Sequence, residues 1–133
     1  MSTDPEKIRA IAAGYAAAWN SGRPDAVASF FAENGTIVIN RGAPWTGLAK
    51  VAEMAAGFDG DLADMTVCCD ALRIAGDHVA SIRTFTGTQR GSGKPLDVKG
   101  REEWDPDADG KAALSRGWYD STDYGHQVGT AQA

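Results

Sequence analysis

The residue of this chain best placed to do chemistry is Glu102, because its neighbours alternate. In extended backbone, Leu96, Val98, Gly100, Glu102 and Trp104 share one face, and Asp97, Lys99, Arg101, Glu103 and Asp105 share the other. The first face is apolar except for Glu102. Burial disfavours the charged form of a carboxyl group, and a carboxylic acid kept neutral can donate a hydrogen bond to a developing oxyanion. A one-residue bulge would exchange the faces and send Glu102 to solvent. Arg83 and Arg101 fall on neighbouring expected strands, where a guanidinium fork can take a ligand carboxylate or phenolate. The alternative for these arginines is a surface pair with Glu103 or an ion pair at an interface.

Other constellations carry less. His78 and His126 are the two histidines, and no His/Cys/Asp/Glu group has ligand spacing, so neither a metal site nor a cofactor is expected. Cys68 and Cys69 are consecutive on an expected strand and point to opposite faces, with no nearby base or CxxC spacing to make them redox-active. Ser115 has no triad order around it. Gly91-Ser-Gly-Lys94 lacks the spacing of a phosphate loop. Asp105 to Gly110 reads as a solvated hairpin turn rather than a calcium loop.

These side chains need elements to hold them. Thr3 or Asp4 can cap a first helix, with Pro5 at its first position. Ile8, Ile11, Ala12, Tyr15 and Trp19 lie on one face of it, and Asn20-Ser21-Gly22 stops it. A short second helix starts at Pro24-Asp25. Thr36 to Ile39 reads as a strand, and Asn40 to Gly47 as a loop. Leu48, Val51, Ala55 and Phe58 share a face of a third helix, which Gly57 and Gly60 are expected to end. Strands are expected over Met65–Ile74, His78–Thr88, Leu96–Asp105 and Lys111–Asp120, followed by a short tail, flexible from about residue 126. Helices first and a meander second give an α+β fold: a cone-shaped, curved antiparallel sheet wrapped by three N-terminal helices, with an open mouth.

Composition narrows the function classes. A length of 133 residues implies a single domain spanning 1–133. Thirteen Lys and Arg against 18 Asp and Glu leave a net charge of −5 and no basic block, which argues against nucleic acid and anionic membrane as partners. The first residues hold no apolar leader, and no apolar run is long enough to span a bilayer, so a cytoplasmic location is expected.

Several stretches together resemble the SnoaL-like branch of the nuclear transport factor 2-like superfamily. They are Tyr15-Ala-Ala-Ala-Trp-Asn-Ser-Gly22 with Asp25-Ala-Val, Phe31-Ala-Glu-Asn-Gly-Thr-Ile-Val38, Gly47 at the third helix, Glu103-Trp-Asp105 through Asp109-Gly-Lys111, and Ser115-Arg-Gly-Trp-Tyr-Asp120 with Tyr124. The superfamily includes ketosteroid isomerases, polyketide cyclases, epoxide hydrolases, dehydratases and members without chemistry, so function has to be argued from the site.

The resemblance implies roles by position. Tyr15 falls where the isomerases carry an oxyanion-hole tyrosine, and Glu102 where they carry a protonated aspartate. Tyr15 also fits a plain core aromatic. The position of the isomerase base is Ile39, with Asn40 beside it, and His78 is an unsupported substitute. The inward carboxylate of the epoxide hydrolases would fall at Gly117, and the strand from His78 has no acid for its partner. The cone is expected to be lined by Trp19, Phe30, Ile39, Asn40, Trp45, Met54, Phe58, Phe85, Val98, Trp104, Ser115 and Tyr119, with Trp45 as a lid. The reading is a cofactor-independent isomerase, cyclase or dehydratase for a small apolar cyclic or aromatic ligand, with Tyr15 and Glu102 as donors. A non-catalytic binding module is the alternative. A second ionisable group within reach of Glu102 would favour catalysis. The resemblance also implies a homodimer through the sheet, whose outer face was expected to show Val79, Ile82 or Leu114.

Overall fold

The computed structural model describes residues 4–128. Helix α1 spans Pro5–Asn20. Asp4 caps it by accepting from the Glu6 amide at 3.1 Å, while Thr3, the alternative cap, lies outside the described residues. Its buried face is Ile8, Ala12, Tyr15, Ala18 and Trp19. The expected stop does more than end the helix. The Asn20 side chain accepts from the Val67 amide at 2.6 Å and donates to the Val67 carbonyl at 3.2 Å, tying the end of α1 to the middle of a strand.

Helix α2 (Pro24–Ala28) leads into β1 (Phe31–Ile39), five residues longer than expected at its start. The expected loop after β1 holds a two-residue strand, β2 (Trp45–Thr46), paired with Thr36 and Ile37. Helix α3 runs Leu48–Asp61, through Gly57 and Gly60 rather than ending at them. A helical glycine costs about 1 kcal/mol, which packing readily offsets. The helix ends where Leu62 turns extended and enters the core.

The remaining strands are β3 (Leu62–Ala75), β4 (His78–Gln89), β5 (Pro95–Pro106) and β6 (Ala112–Tyr119). They form one curved, unclosed six-stranded sheet in the order β2-β1-β6-β5-β4-β3. The α+β class is as expected, with one parallel pair, β1 with β6, in an otherwise antiparallel sheet. The tail after Asp120 is instead a helix, α4 (Ser121–Val128), capped by Asp120 through the Asp123 amide at 2.9 Å. The remainder of the expected tail, from residue 129, lies outside the described residues.

The main core lies between the sheet and α1 to α3. A smaller cluster of Leu62, Leu96 and Val98 is covered by Tyr119 and Tyr124. Val79 belongs to the main core and not to the outer face. The pairing of β4 with β5 runs without a bulge, so residues 79 and 82 must face opposite ways. Ile82, 39% exposed, is on the outside, and Leu114 is half-buried. No helix among the described residues is long and apolar enough to cross a membrane.

Candidate functional site

The alternation of β5 holds through its whole middle, and Glu102 faces inward with no exposed surface. Four neighbours converge on its carboxyl group. Oε2 accepts from Tyr15 Oη at 3.0 Å, from Trp104 Nε1 at 3.0 Å and from Ser115 Oγ at 2.5 Å. Oε1 lies 2.8 Å from Arg83 Nη2 but receives no aligned hydrogen bond, so this contact is an ion pair. The partners come from α1, β4, β5 and β6, and the register explains the meeting. Ser81 pairs with Glu102 and Arg83 with Gly100, so Arg83 reaches diagonally across a glycine. Glu102 in turn pairs with Gly117, two residues beyond Ser115.

Burial raises the Tyr15 phenol well above its usual range, and the Glu102 charge adds to this while Arg83 offsets part of it. Tyr15 is therefore a protonated donor at neutral pH. Its ring also lies under the Arg83 guanidinium, 5.8 Å from ring centroid to Cζ.

A cavity of about 50 Å³ opens between the sheet and the helices. Trp19 of α1 and Met54 and Phe58 of α3 form one wall. Ile37 and Ile39 of β1, Met65 and Val67 of β3 and Phe85 of β4 form the apolar part of the other, with Gly117 and Tyr119 of β6 closing it. Its charged lining residues are Arg83, Arg101 and Glu102, the last being the only acid lining it among the described residues. The Arg83 side chain keeps 16% of its surface exposed and Glu102 none, so Arg83 is the member of the pair that solvent reaches. Trp19 Nε1 is also buried without a hydrogen bond, leaning toward the Tyr15 oxygen off the hydrogen-bond axis.

Of the expected site residues, Trp19, Ile39, Met54, Phe58, Phe85, Glu102 and Tyr119 line this cavity. Tyr15, Trp104 and Ser115 donate to Glu102 instead, so the expected pair of donors facing a ligand does not form: the Tyr15 hydroxyl is used on Glu102, and Glu102 is the acceptor. Phe30 packs edge-on against Tyr15, at 5.6 Å, beside a smaller cavity. Asn40 accepts from the Tyr119 amide at 3.0 Å, Trp45 packs on the core from β2, and Val98 sits in the small cluster with Leu62 and Leu96. Ile39 and Gly117 are ladder partners, so both positions where a relative's carboxylate was expected lie together on the wall, and neither carries an acid.

The two arginines separate by strand parity. Arg83 is mostly buried beside Glu102, whereas Arg101, though it also borders the cavity, is half exposed, lies over the Trp118 ring at 4.4 Å and pairs with Glu103 at 3.3 Å, as its alternative reading held. His78 is away from the cavity, with Nδ1 2.8 Å from Asp105 and Nε2 2.8 Å from Glu103. Sequence reasoning singled out Arg83 but missed its partner. The signal was in the parity of β4, since an inward residue 79 makes residue 83 inward too. Helix α4 was also missed. It is pinned by a hydrogen bond from Tyr124 Oη to Asp61 and by Gln127, which accepts from the Asp97 amide at 2.7 Å and donates to the Asp97 carbonyl at 2.8 Å.

Known structures share this architecture. A hypothetical protein with a ketosteroid isomerase-like fold from Catenulispora acidiphila, in complex with trimethylamine, is 26% identical over 90% of this chain and 92% of its own, with a TM-score of 0.83. SalBIII, an epoxide hydrolase/cyclase-like enzyme with a role in pyran ring formation in the polyether salinomycin, is 23% identical over 92% and 97% with a TM-score of 0.81. TsrD from Streptomyces laurentii is 20% identical over 96% and 98% with a TM-score of 0.83. The latter two likenesses are of fold. The search of curated proteins gave no match. The model of the SnoaL-like domain matches residues 12–115, the segment that holds Tyr15, Arg83, Glu102 and Ser115, and the chain belongs to that family.

Proposed function

We propose that the protein is an isomerase- or cyclase-type enzyme for a small molecule, with its chemistry centred on Glu102, Tyr15 and Arg83. The observation that carries this reading is the division of labour on one buried carboxylate. Three donors fix Oε2, and Oε1 is held by Arg83 alone. Arg83 is also a second ionisable group within reach of Glu102, which favours a catalytic reading.

A substrate carbonyl oxygen set against Arg83 draws the guanidinium nitrogen off Oε1. The freed oxygen takes a proton from the carbon next to the carbonyl, and the negative charge moves onto the oxygen at Arg83. Returning the proton from Glu102 to a different carbon completes an isomerisation. Attack of the enolate carbon on an electrophile in the same molecule, with the proton passed to the new oxyanion, completes a cyclisation. Tyr15, Trp104 and Ser115 keep the carboxylate from rotating during the exchange. The trimethylamine complex of the Catenulispora protein and the cyclase-like SalBIII support a small-molecule site in this fold. An apolar cyclic or aromatic body would rest on Phe58, Phe85 and Tyr119, with its carbonyl directed inward.

A non-catalytic receptor is the second reading, favoured by the full burial of Glu102 and by the lack of a carboxylate at Ile39 and Gly117. Deuterium uptake from solvent into small enolisable ketones, followed by proton NMR, separates the two. Catalysis predicts uptake that falls roughly a hundredfold or more in Glu102→Gln. Equal rates in wild type and variant would leave the receptor. Pairing of two copies through the outer sheet face, where Ile82 is exposed, belongs to the same proposal and is tested by sedimentation.

A further inference from the structure

Arg83 carries five N–H donors, and among the described residues its only polar side-chain partner is Glu102. The remaining donors stand at the polar end of a cavity whose other walls are mostly apolar. Trp19, on the helix wall of the same cavity, adds a second buried N–H with no acceptor in hydrogen-bond geometry. Both groups can only donate. Glu102 Oε1, the acceptor beside Arg83, is fully buried.

The ion pair is thus an oriented dipole. Its positive end keeps exposed surface, and its negative end is fully buried and held through Oε2 by Tyr15, Trp104 and Ser115. Coulomb attraction falls with distance, so a charge entering from solvent feels the guanidinium more than the fully buried carboxylate. An anionic oxygen gains, a neutral carbonyl gains less, and a cation loses.

We infer that this cavity selects small oxyanions, a carboxylate or phenolate oxygen borne by a compact apolar group, and that Arg83 sets the selectivity. The inference rests on the reading of the cavity as a ligand site and names the ligand class for it. The oxyanion docks on Arg83 and its apolar body lies against Ile39, Met54 and Phe85.

Three probes of like shape test it: isobutyrate, isobutyramide and isobutylammonium, titrated at constant ionic strength into nitrogen-15-labelled protein. The Trp19 indole N–H and Arg83 Nε–H resonances are the readout. Isobutyrate is expected to shift both and to bind about tenfold or more tightly than the amide, with no shift from the ammonium. Arg83→Met is expected to abolish the preference. Glu102→Gln, which removes the opposing charge and keeps Arg83, is expected to tighten isobutyrate, an effect that a merely structural arginine would not produce. Tighter binding of the amide or the ammonium, or an unchanged preference in Arg83→Met, overturns the selectivity and leaves the ligand site standing. No shift with any probe overturns both.

Discussion

Arg83 and Glu102 sit two rungs apart on adjacent strands and meet diagonally, Nη2 to Oε1 at 2.8 Å, across the bare backbone of Gly100. Gly100 cannot be larger. A Cβ there would lie 2.4 Å from the Trp118 carbonyl oxygen. At Gly117, on the other side of Glu102, the nearest atom to an added Cβ is Ile39 Cγ1 at an ordinary 3.8 Å. Gly100→Ala is therefore expected to lower the melting temperature sharply, and Gly117→Ala to leave it close to wild type. Thermal unfolding of the two variants side by side checks this contrast.

Two of the three donors on Oε2 can be removed by small substitutions. Tyr15→Phe and Ser115→Ala each remove a hydrogen bond to a charged group, worth about 1.5–3 kcal/mol. The phenol ring also packs against Phe30, Phe31 and Trp104, and Phe keeps those contacts. Urea denaturation should show both losses without a change of slope. A loss under about 0.5 kcal/mol in both variants would mean that Oε2 does not depend on these donors.

His78 gives the protein a pH signature unrelated to the cavity. Hydrogen bonds to Asp105 and then Glu103 raise it from its ordinary 6.5, against a smaller opposing effect of burial. Its contribution to stability is complete below pH 6.5 and is lost as pH rises through the higher folded value. Glu103 is lowered from 4.5, first by His78, so its contribution is present above pH 4.5 and is lost as pH falls further. The cluster should stabilise most between these limits, with Arg101 adding to the hold on Glu103 and solvent screening limiting the size of the effect. Proton NMR of the His78 ring should give a midpoint above 6.5, and the alkaline side of the stability profile should flatten in His78→Gln.

Helix α4 depends on a few polar anchors. Gln127→Ala removes both hydrogen bonds to the Asp97 backbone and Tyr124→Phe removes the bond to Asp61. The double variant should open α4 locally, seen as faster amide exchange in 121–128, while the amides of β4 and β5 around Glu102 keep their protection.

The sequence made some of this arrangement legible and concealed the rest for physical reasons. Alternation in β5 was readable because no bulge interrupts it between Pro95 and Asp105, and so Glu102 could be placed inward. The bulges near Asp64 and Asp70 leave no trace in the pattern of β3, whose start was placed three residues late. Gly57 and Gly60 signalled a stop that packing overrode. Helix α4 is short and polar, and its hold on the fold comes from Tyr124 and Gln127 meeting residues far away in sequence. The partnership of Arg83 with Glu102 is of the same kind. Each residue was visible, but the diagonal that joins them depends on the register between two strands.

A double-mutant cycle on Arg83→Met and Glu102→Leu, read by urea denaturation, tests most directly whether the pair acts as one unit. Each single change leaves a buried charge alone and should cost about 3–5 kcal/mol, while the double change should cost well below the sum, with a coupling of roughly 2 kcal/mol or more. Additive losses, with coupling under about 0.5 kcal/mol, would contradict the pairing on which the site is built.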